Sequence, residues 1–463
     1  MTRSVLFVCE SYYLKFYKPL ADRLSHSGFN PIWVSLDGDA QWPSAYLDPS
    51  SAIEGLAEVG DFNCASEQID ALCAFERAVF EGPQLFKDNY HYTLTTVRTA
   101  DRARQLAAAW YQFSLALLLR FRPSAVFLWN GRYLPYSAVS SACAAARQLF
   151  LTSEIGWIPG TIFADRGALS TDTTDLAGRH FGPIAAADAA RADAFLNDYR
   201  ARKATMVSQT LGSPSEVRRQ LLGDGKFVLL YGCQVDWDTN VVIGARRFRT
   251  NESAVAFLIE CADAVPGARI VVKTHPLDSQ KAEDRLREMV GSRGTVVSDV
   301  HPHTLIEAAD CVAVRNSTLG FEAICYGKPV VVLENAKYRH PGLTMDAANV
   351  GDTTSHLLSV AANRCDLPDR ETLQQFVLHL VDHYLMPISY EYFFDPAKLE
   401  LLSHFAHSDS YRTLEQLLNQ VPSRAVVEVA DAAVHAVDTC ELRQPRRRPF
   451  LRERLRGLAD WIT

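Results

Sequence analysis

Long apolar runs are missing from this sequence: nowhere do the roughly 18 apolar residues that a membrane-spanning helix needs follow one another. The stretch from Met1 to Cys9 is too short in apolar residues for a signal peptide before Glu10 interrupts it. Ten cysteines are present, none in a CxxC pair, which argues against a zinc knuckle or a dithiol motif. Most sit in apolar runs such as Asp310-Cys311-Val312-Ala313-Val314, where a thiol behaves as a small buried hydrophobe. Scattered free thiols fit a reducing cytosol, so a cytoplasmic location is expected. A basic excess is also lacking: 47 Lys and Arg stand against 54 Asp and Glu, a net charge of -7. That makes nucleic acid an unfitting partner, because counterion release needs a basic surface. No GxGxxG follows the first apolar strand pattern, and a dinucleotide site there is unsupported.

What is present is globular and enzyme-like. With 463 residues, 48% hydrophobic and 22% charged, the chain exceeds one ordinary core and calls for at least two domains. Residues 4–9 read as a buried strand, 17–27 as a helix closed by Gly28, and 31–36 as a second strand. That order is a βαβ unit and predicts a parallel sheet. A largely helical stretch follows, with a buried helix over 106–119, and strands are expected at 125–129 and 148–154. The small, polar run Leu211-Gly212-Ser213-Pro214-Ser215 reads as a linker. Beyond it, strands at 227–232, 268–273, 295–297, 311–314 and 329–333 alternate with helices at 253–264, 281–290 and 304–309. The expected fold is α/β: two Rossmann-like domains facing across a cleft, spanning 1–212 with a helical insertion and 216–390. Residues 391–463 are expected to add helices and a basic tail.

Ligands of open α/β sheets bind beyond the carboxyl ends of the strands, and this ranks the polar clusters. Lys273-Thr274-His275-Pro276 follows one strand directly; Pro276 stiffens the turn, His275 can donate to a phosphate, and Lys273 adds positive potential. The alternative is a turn histidine that caps the strand. Asn316-Ser317-Thr318 follows another strand and opens a helix, whose unpaired N–H groups and dipole attract anions. An ordinary Ser/Thr cap is the bland reading. After the strand ending at Gly232 come Gln234, a candidate polar contact in the cleft, and Asp236-Trp237-Asp238. That last triplet resembles a metal-binding DxD motif, although a hard cation needs several converging oxygens.

The first half offers Asn130-Gly131-Arg132 and Glu154-Ile155-Gly156. A carboxylate at a strand end flanked by glycine can serve as a general base toward an acceptor hydroxyl, and Glu154 is the leading candidate. A structural carboxylate tied to backbone amides is the rival reading. Asp165 is the second candidate base, with an Asx turn as its plain alternative. Seven arginines, Arg443 to Arg456, interleave with apolar residues in the last 21 positions. They read either as a basic amphipathic helix at an anionic membrane surface or as a solvated tail.

In order along the chain these motifs resemble the bacterial capsule polysaccharide biosynthesis family, which includes β-Kdo transferases. The resemblance runs through Trp129-Asn130-Gly131, Glu154-Ile155-Gly156-Trp157-Ile158-Pro159-Gly160, Asp165-Arg166-Gly167 and Gln234-Val235-Asp236 with Asp238-Thr239-Asn240. It continues through Lys273-Thr274-His275-Pro276, Asn316-Ser317-Thr318-Leu319-Gly320-Phe321-Glu322-Ala323 and Tyr326-Gly327-Lys328-Pro329-Val330. It implies a GT-B fold and an inverting glycosyltransferase that needs no metal or other cofactor. The implied donor is CMP-Kdo, with Lys273, His275, Pro276, Asn316, Ser317, Thr318 and Glu322 at its nucleotide end. A lipid-linked saccharide is the expected acceptor, with peripheral membrane contact through 443–463. Some family members carry Glu-Asp-Gly, with the Asp as base, where this chain has Glu154-Ile155-Gly156. A transferase using a UDP- or GDP-sugar or another CMP-ulosonate, a sugar-nucleotide epimerase and a non-catalytic scaffold of a capsule assembly complex stay open beside this reading.

Overall fold

The computed structural model describes residues 3–37, 42–43, 45–59, 65–81, 99–167, 179, 181–203, 212–222, 226–276, 279–388, 400–420, 429–440 and 442–443. Its strands, in chain order, are β1 (Arg3–Cys9), β2 (Phe29–Ser35), β3 (Tyr46–Leu47), β4 (Ala125–Trp129), β5 (Phe150–Ile155), β6 (Thr161–Arg166) and β7 (Phe227–Gly232). They continue with β8 (Ala268–Lys273), β9 (Gly294–Val297), β10 (Cys311–Val314), β11 (Val330–Val332), β12 (Met345–Asp346), β13 (Met386–Pro387) and β14 (Leu442–Arg443).

Two sheets result. The first runs β13-β6-β5-β4-β1-β2-β3-β14, and the second runs β12-β11-β10-β7-β8-β9. In the first, β1 pairs in parallel with both β2 and β4, and β4 with β5. The second sheet is parallel throughout. Each sheet therefore grows outward in both directions from its first strand. That leaves a crevice at the carboxyl ends between β1 and β4, and another between β7 and β10. The expected two-Rossmann α/β architecture is the architecture found.

Burial explains the strands. β1 is apolar from Val5 to Cys9 and buried on both faces, as a central parallel strand must be. Phe7 stacks between Trp33 at 4.8 Å and Phe127 at 4.9 Å. The helix Ala100–Phe121 is buried around most of its circumference, because other helices cover the side turned away from the sheet. No helix of the described residues is long and apolar enough to cross a membrane. The described cysteines are free, and all but Cys365 are buried.

Three expectations need correction. The expected linker is not simply one: among its described residues, 212–215, Pro214 opens the helix Pro214–Leu222, a position where its missing N–H costs nothing. The boundary at 212 also misplaces the helix Ala186–Arg202, whose Phe195, Leu196 and Tyr199 pack into the second core with Leu305 and Phe321. Conversely, Met386, Ile388, Leu414, Leu418, Ala433 and Val437 return to the first core, so the chain crosses back after finishing the second sheet. Finally, 161–166 is a strand, so Asp165 does not sit in an Asx turn. The strand pairs antiparallel with β5, setting Glu154 opposite Phe163 and Thr152 opposite Asp165. Residues 444–463, and with them most of the arginine-rich tail, lie outside the described residues.

Candidate active site

The β5–β6 hairpin carries the first half of the site. Its turn is tight: Gly156 N–H donates to the Thr161 carbonyl at 2.8 Å, and a Cβ at Gly156 would fall 2.0 Å from Thr161 Oγ1. Trp157 in this turn packs against Phe321 at 5.2 Å and Tyr338 at 5.7 Å of the second domain. The hairpin is thus wedged into the opposite core while remaining part of the first sheet.

Glu154, at the end of β5, is half-buried. Asn130 Nδ2 donates to its Oε1 at 2.6 Å and also to Thr239 Oγ1 of the second domain at 3.1 Å. Asn130 follows β4 in the left-handed region, with φ 58°, a conformation Asn tolerates better than most side chains. Gly131 follows at φ 84°. Asn130 Oδ1 accepts from the Arg132 amide at 3.1 Å, which turns the loop back on itself. Arg132 is 6% exposed, and its charge reaches Asp238 of the second domain, whose carboxyl burial pushes up. The carboxyl-end edges of the two sheets therefore meet at Asn130, Glu154 and Thr239.

Asp165 is placed differently. It lies inside β6, not in an Asx turn, and Lys337 of the second domain pairs with it. Tyr384 Oη donates to its carboxylate at 3.0 Å. A carboxylate already neutralised in this way is a poor general base, so of the two candidates Glu154 has the better placement.

On the second sheet the β7/β10 crevice is closed by one reciprocal clasp. Gln234 Nε2 donates to Asn316 Oδ1 at 2.7 Å, and the Asn316 amide donates to Gln234 Oε1 at 3.1 Å. Ser317 caps the helix Thr318–Cys325, its hydroxyl accepting from Leu319 N–H at 3.2 Å. The Ser317 carbonyl accepts from Tyr338 Oη. Thr318 is exposed, and Asn316 and Ser317 are half-buried. His275, two residues past β8, is half-buried with Pro276 exposed beside it. Burial, reinforced by the Lys273 charge, pushes His275 down to about 4, so its imidazole is neutral at neutral pH. β8 lies next to β7 on the side away from β10. His275 and Ser317-Thr318 thus flank Gln234 on one edge of the sheet.

Other expected site residues serve the scaffold. Lys273 is 6% exposed, and its ammonium donates to the carbonyls of Thr274 at 2.9 Å and Ser298 at 2.7 Å. It ties β8 to the loop after β9 rather than offering its charge to the crevice. Asp236 accepts from Arg315 Nη2 at 2.9 Å and from the Asn251 amide at 3.1 Å. Asp238 caps the short helix Thr239–Val242 by accepting from Asn240 N–H at 2.7 Å. The DxD resemblance therefore does not extend to geometry. Among the described residues no group of His, Cys, Asp or Glu side chains converges as a metal site. Glu322 is 12% exposed and stands 4.0 Å from His303 Nε2; burial pushes its carboxyl up to about 7. It borders the second core rather than standing open to solvent.

Two residues that motif reading passed over complete the junction. Lys337 follows β11 and Tyr384 ends a helical turn at 380–384. Neither belongs to a motif with a signal of its own, and only the fold brings them to Asp165.

Comparisons with known proteins give partial matches. Protein FixF of Sinorhizobium fredii is 25% identical over 276 residues, 57% of this chain and 61% of that protein. The match thus spans about three fifths of the relative's length. Among solved structures, the β Kdo 2,4 transferase of Thermosulfurimonas dismutans KpsC is 19% identical, covering 55% of this chain and 79% of that one, with a TM-score of 0.39. The UDP-GlcNAc 2-epimerase of Neisseria meningitidis is 12% identical, covering 90% of this chain and 99% of that one, with a TM-score of 0.32. Residues 191–357, which hold the Gln234, His275 and Asn316-Ser317-Thr318 edge, match the family described as capsule polysaccharide biosynthesis protein. That match covers about a third of the chain, and it is the stretch that carries the second sheet's site edge.

Proposed function

We propose that this protein is an inverting glycosyltransferase of capsule or surface polysaccharide synthesis, using CMP-Kdo as donor and a saccharide, lipid-linked in the cell, as acceptor. The observation that carries the reading is the position of Glu154. It stands at the meeting of the two sheet edges, held by an Asn130 amide that also reaches Thr239 across the junction. Glu154 takes the proton of the acceptor hydroxyl as that oxygen attacks the anomeric carbon of the donor from the face opposite the leaving group. The bond from the anomeric carbon to the phosphate oxygen breaks, and CMP departs as a phosphate monoester. Charge gathers on that phosphate, where the Ser317-capped helix N-terminus and His275 N–H offer donors. No step requires a metal, and Asp236 and Asp238 keep their structural partners. The reaction would take place in the cytoplasm, where the acceptor's lipid and the arginine-rich tail can share the membrane face.

A donor screen tests this. Incubation with CMP-Kdo and a saccharide acceptor is expected to release CMP, with UDP- and GDP-sugars inert and with release greatly slowed in His275→Ala. Release undiminished in His275→Ala would remove the phosphate site. Turnover of UDP-GlcNAc without acceptor would point to an epimerase instead, and absence of CMP binding by calorimetry would point to a scaffold.

A further inference from the structure

The hairpin that bears Glu154 has a second occupant on the same face. In antiparallel β5–β6 pairing Glu154 is opposite Phe163, and Asp165 lies two residues further along β6. Period-two alternation puts Glu154, Phe163 and Asp165 on one face, with Glu154 and Asp165 diagonal neighbours roughly 7–8 Å apart. Lys337 covers that face from the second domain. Its ammonium lies 4.2 Å from the centre of the Phe163 ring, pairs with Asp165 and donates to Tyr384 Oη at 2.8 Å. Tyr384 in turn donates to Asp165 at 3.0 Å. Only 4% of the Lys337 side chain is exposed, so solvent screens its field weakly.

We infer that Lys337 is a positioning residue for the transfer, holding the hairpin to the donor domain and keeping the Glu154 carboxylate ionised. The inference rests on Glu154 being the base. Three titratable groups share the face with the ammonium: Asp165 on β6, Tyr384 on the 380–384 turn and Glu154 on β5. Burial draws Lys337 below its ordinary value, and the Glu154 charge pushes it back up. The coupling is reciprocal: a cation that a carboxylate favours is one that favours the carboxylate.

The Lys337–Glu154–Asp165 arrangement predicts opposite shifts from two substitutions. Lys337→Met removes the cation, and the acid limb of the kcat/KM profile against pH is expected to move up by about one unit or more. Asp165→Asn removes the competing carboxylate, leaves the cation to Glu154, and is expected to move that limb down. Lys337→Arg keeps the charge and is expected to leave the limb near its original place. Should Lys337→Met fail to fold, the Asp165→Asn and Lys337→Arg profiles still decide the matter. A merely structural role predicts lower melting temperatures with an unmoved limb in all three variants, and that result overturns the inference. A readout independent of turnover separates this from the choice of base. The Glu154 carboxyl titration, assigned by carbon-13 NMR against Glu154→Gln, should follow the same two directions. If it does not move while Glu154→Gln abolishes transfer, the role of Lys337 falls and the base stands. If Glu154→Gln still transfers, it is the base that falls.

Discussion

The side-chain amide of Asn130 holds Glu154 at 2.6 Å and Thr239 at 3.1 Å, so one residue fixes the candidate base and joins the two domains. Its left-handed backbone, φ 58°, aims the amide at both. Replacement by Ala is expected to lower kcat by about 10²-fold, because small displacements of a reacting group are costly, with CMP affinity nearly intact. Asn130→Gly relieves the backbone yet removes the amide, and it should lose as much. Recovery of activity in Asn130→Gly would assign the loss to backbone strain instead.

The neutral state of His275 gives a signed pH effect. Burial and Lys273 hold it at about 4, below the ordinary 6.5. Protonation therefore favours the unfolded chain: the contribution is whole above about 6.5 and fades as pH falls toward about 4. A bound phosphate reverses the balance by favouring the imidazolium. CMP binding is expected to take up protons near pH 6, and affinity to rise as pH falls from 7. Calorimetry in buffers of different ionisation enthalpy measures the uptake, and His275→Gln should abolish it.

Arg315 is fully buried and shared among Asp236, Asn251 and the carbonyls of Gln234 and Phe248. Removing one partner of a buried pair strands the other, at a cost of about 3–5 kcal/mol. Asp236→Ala should therefore appear first as a lowered denaturation midpoint. Because Asp236 is occupied in this way, chelation by EDTA is expected to leave turnover unchanged. Activity lost to EDTA and restored by a divalent cation would contradict that assignment.

Gly320 leaves no room for a side chain. A Cβ there would lie 2.2 Å from Tyr338 Oη, the hydroxyl that holds the Ser317 carbonyl. Gly320→Ala must push Tyr338 away and release the Ser317 loop, and a tenfold or greater loss of CMP affinity is expected. Tyr338→Phe, which removes the hydrogen bond without crowding, should give a smaller loss of the same sign.

Much of the fold was legible because parallel strands buried on both faces read as short apolar runs. The segments 125–129, 227–232, 268–273 and 311–314 stand in the structure where the sequence puts them. β6 was harder: Thr161 to Arg166 ends in Ala-Asp-Arg beside two glycines, a composition that suits a turn equally well. The domain boundary was misread because the helix Ala186–Arg202 is amphipathic toward a core formed by residues more than 100 positions later, a destination that local patterning does not contain. At the site, motifs at strand ends marked Glu154, Gln234, His275 and Ser317. Motif reading could not separate Asp236, held by Arg315 and Asn251, and Lys273, held by the carbonyls of Thr274 and Ser298, from groups left open to a ligand. Lys337 and Tyr384 carried no signal, since their role exists only once Asp165 has been brought to them.

The most direct test of the account is CMP release from CMP-Kdo by Glu154→Gln, set against the unaltered chain at saturating donor and acceptor. The variant keeps the Asn130 contact in shape but cannot take a proton, so release should fall by about 10²–10⁴-fold while CMP still binds. Release within a few-fold of the unaltered chain would contradict the assignment of Glu154 as the base.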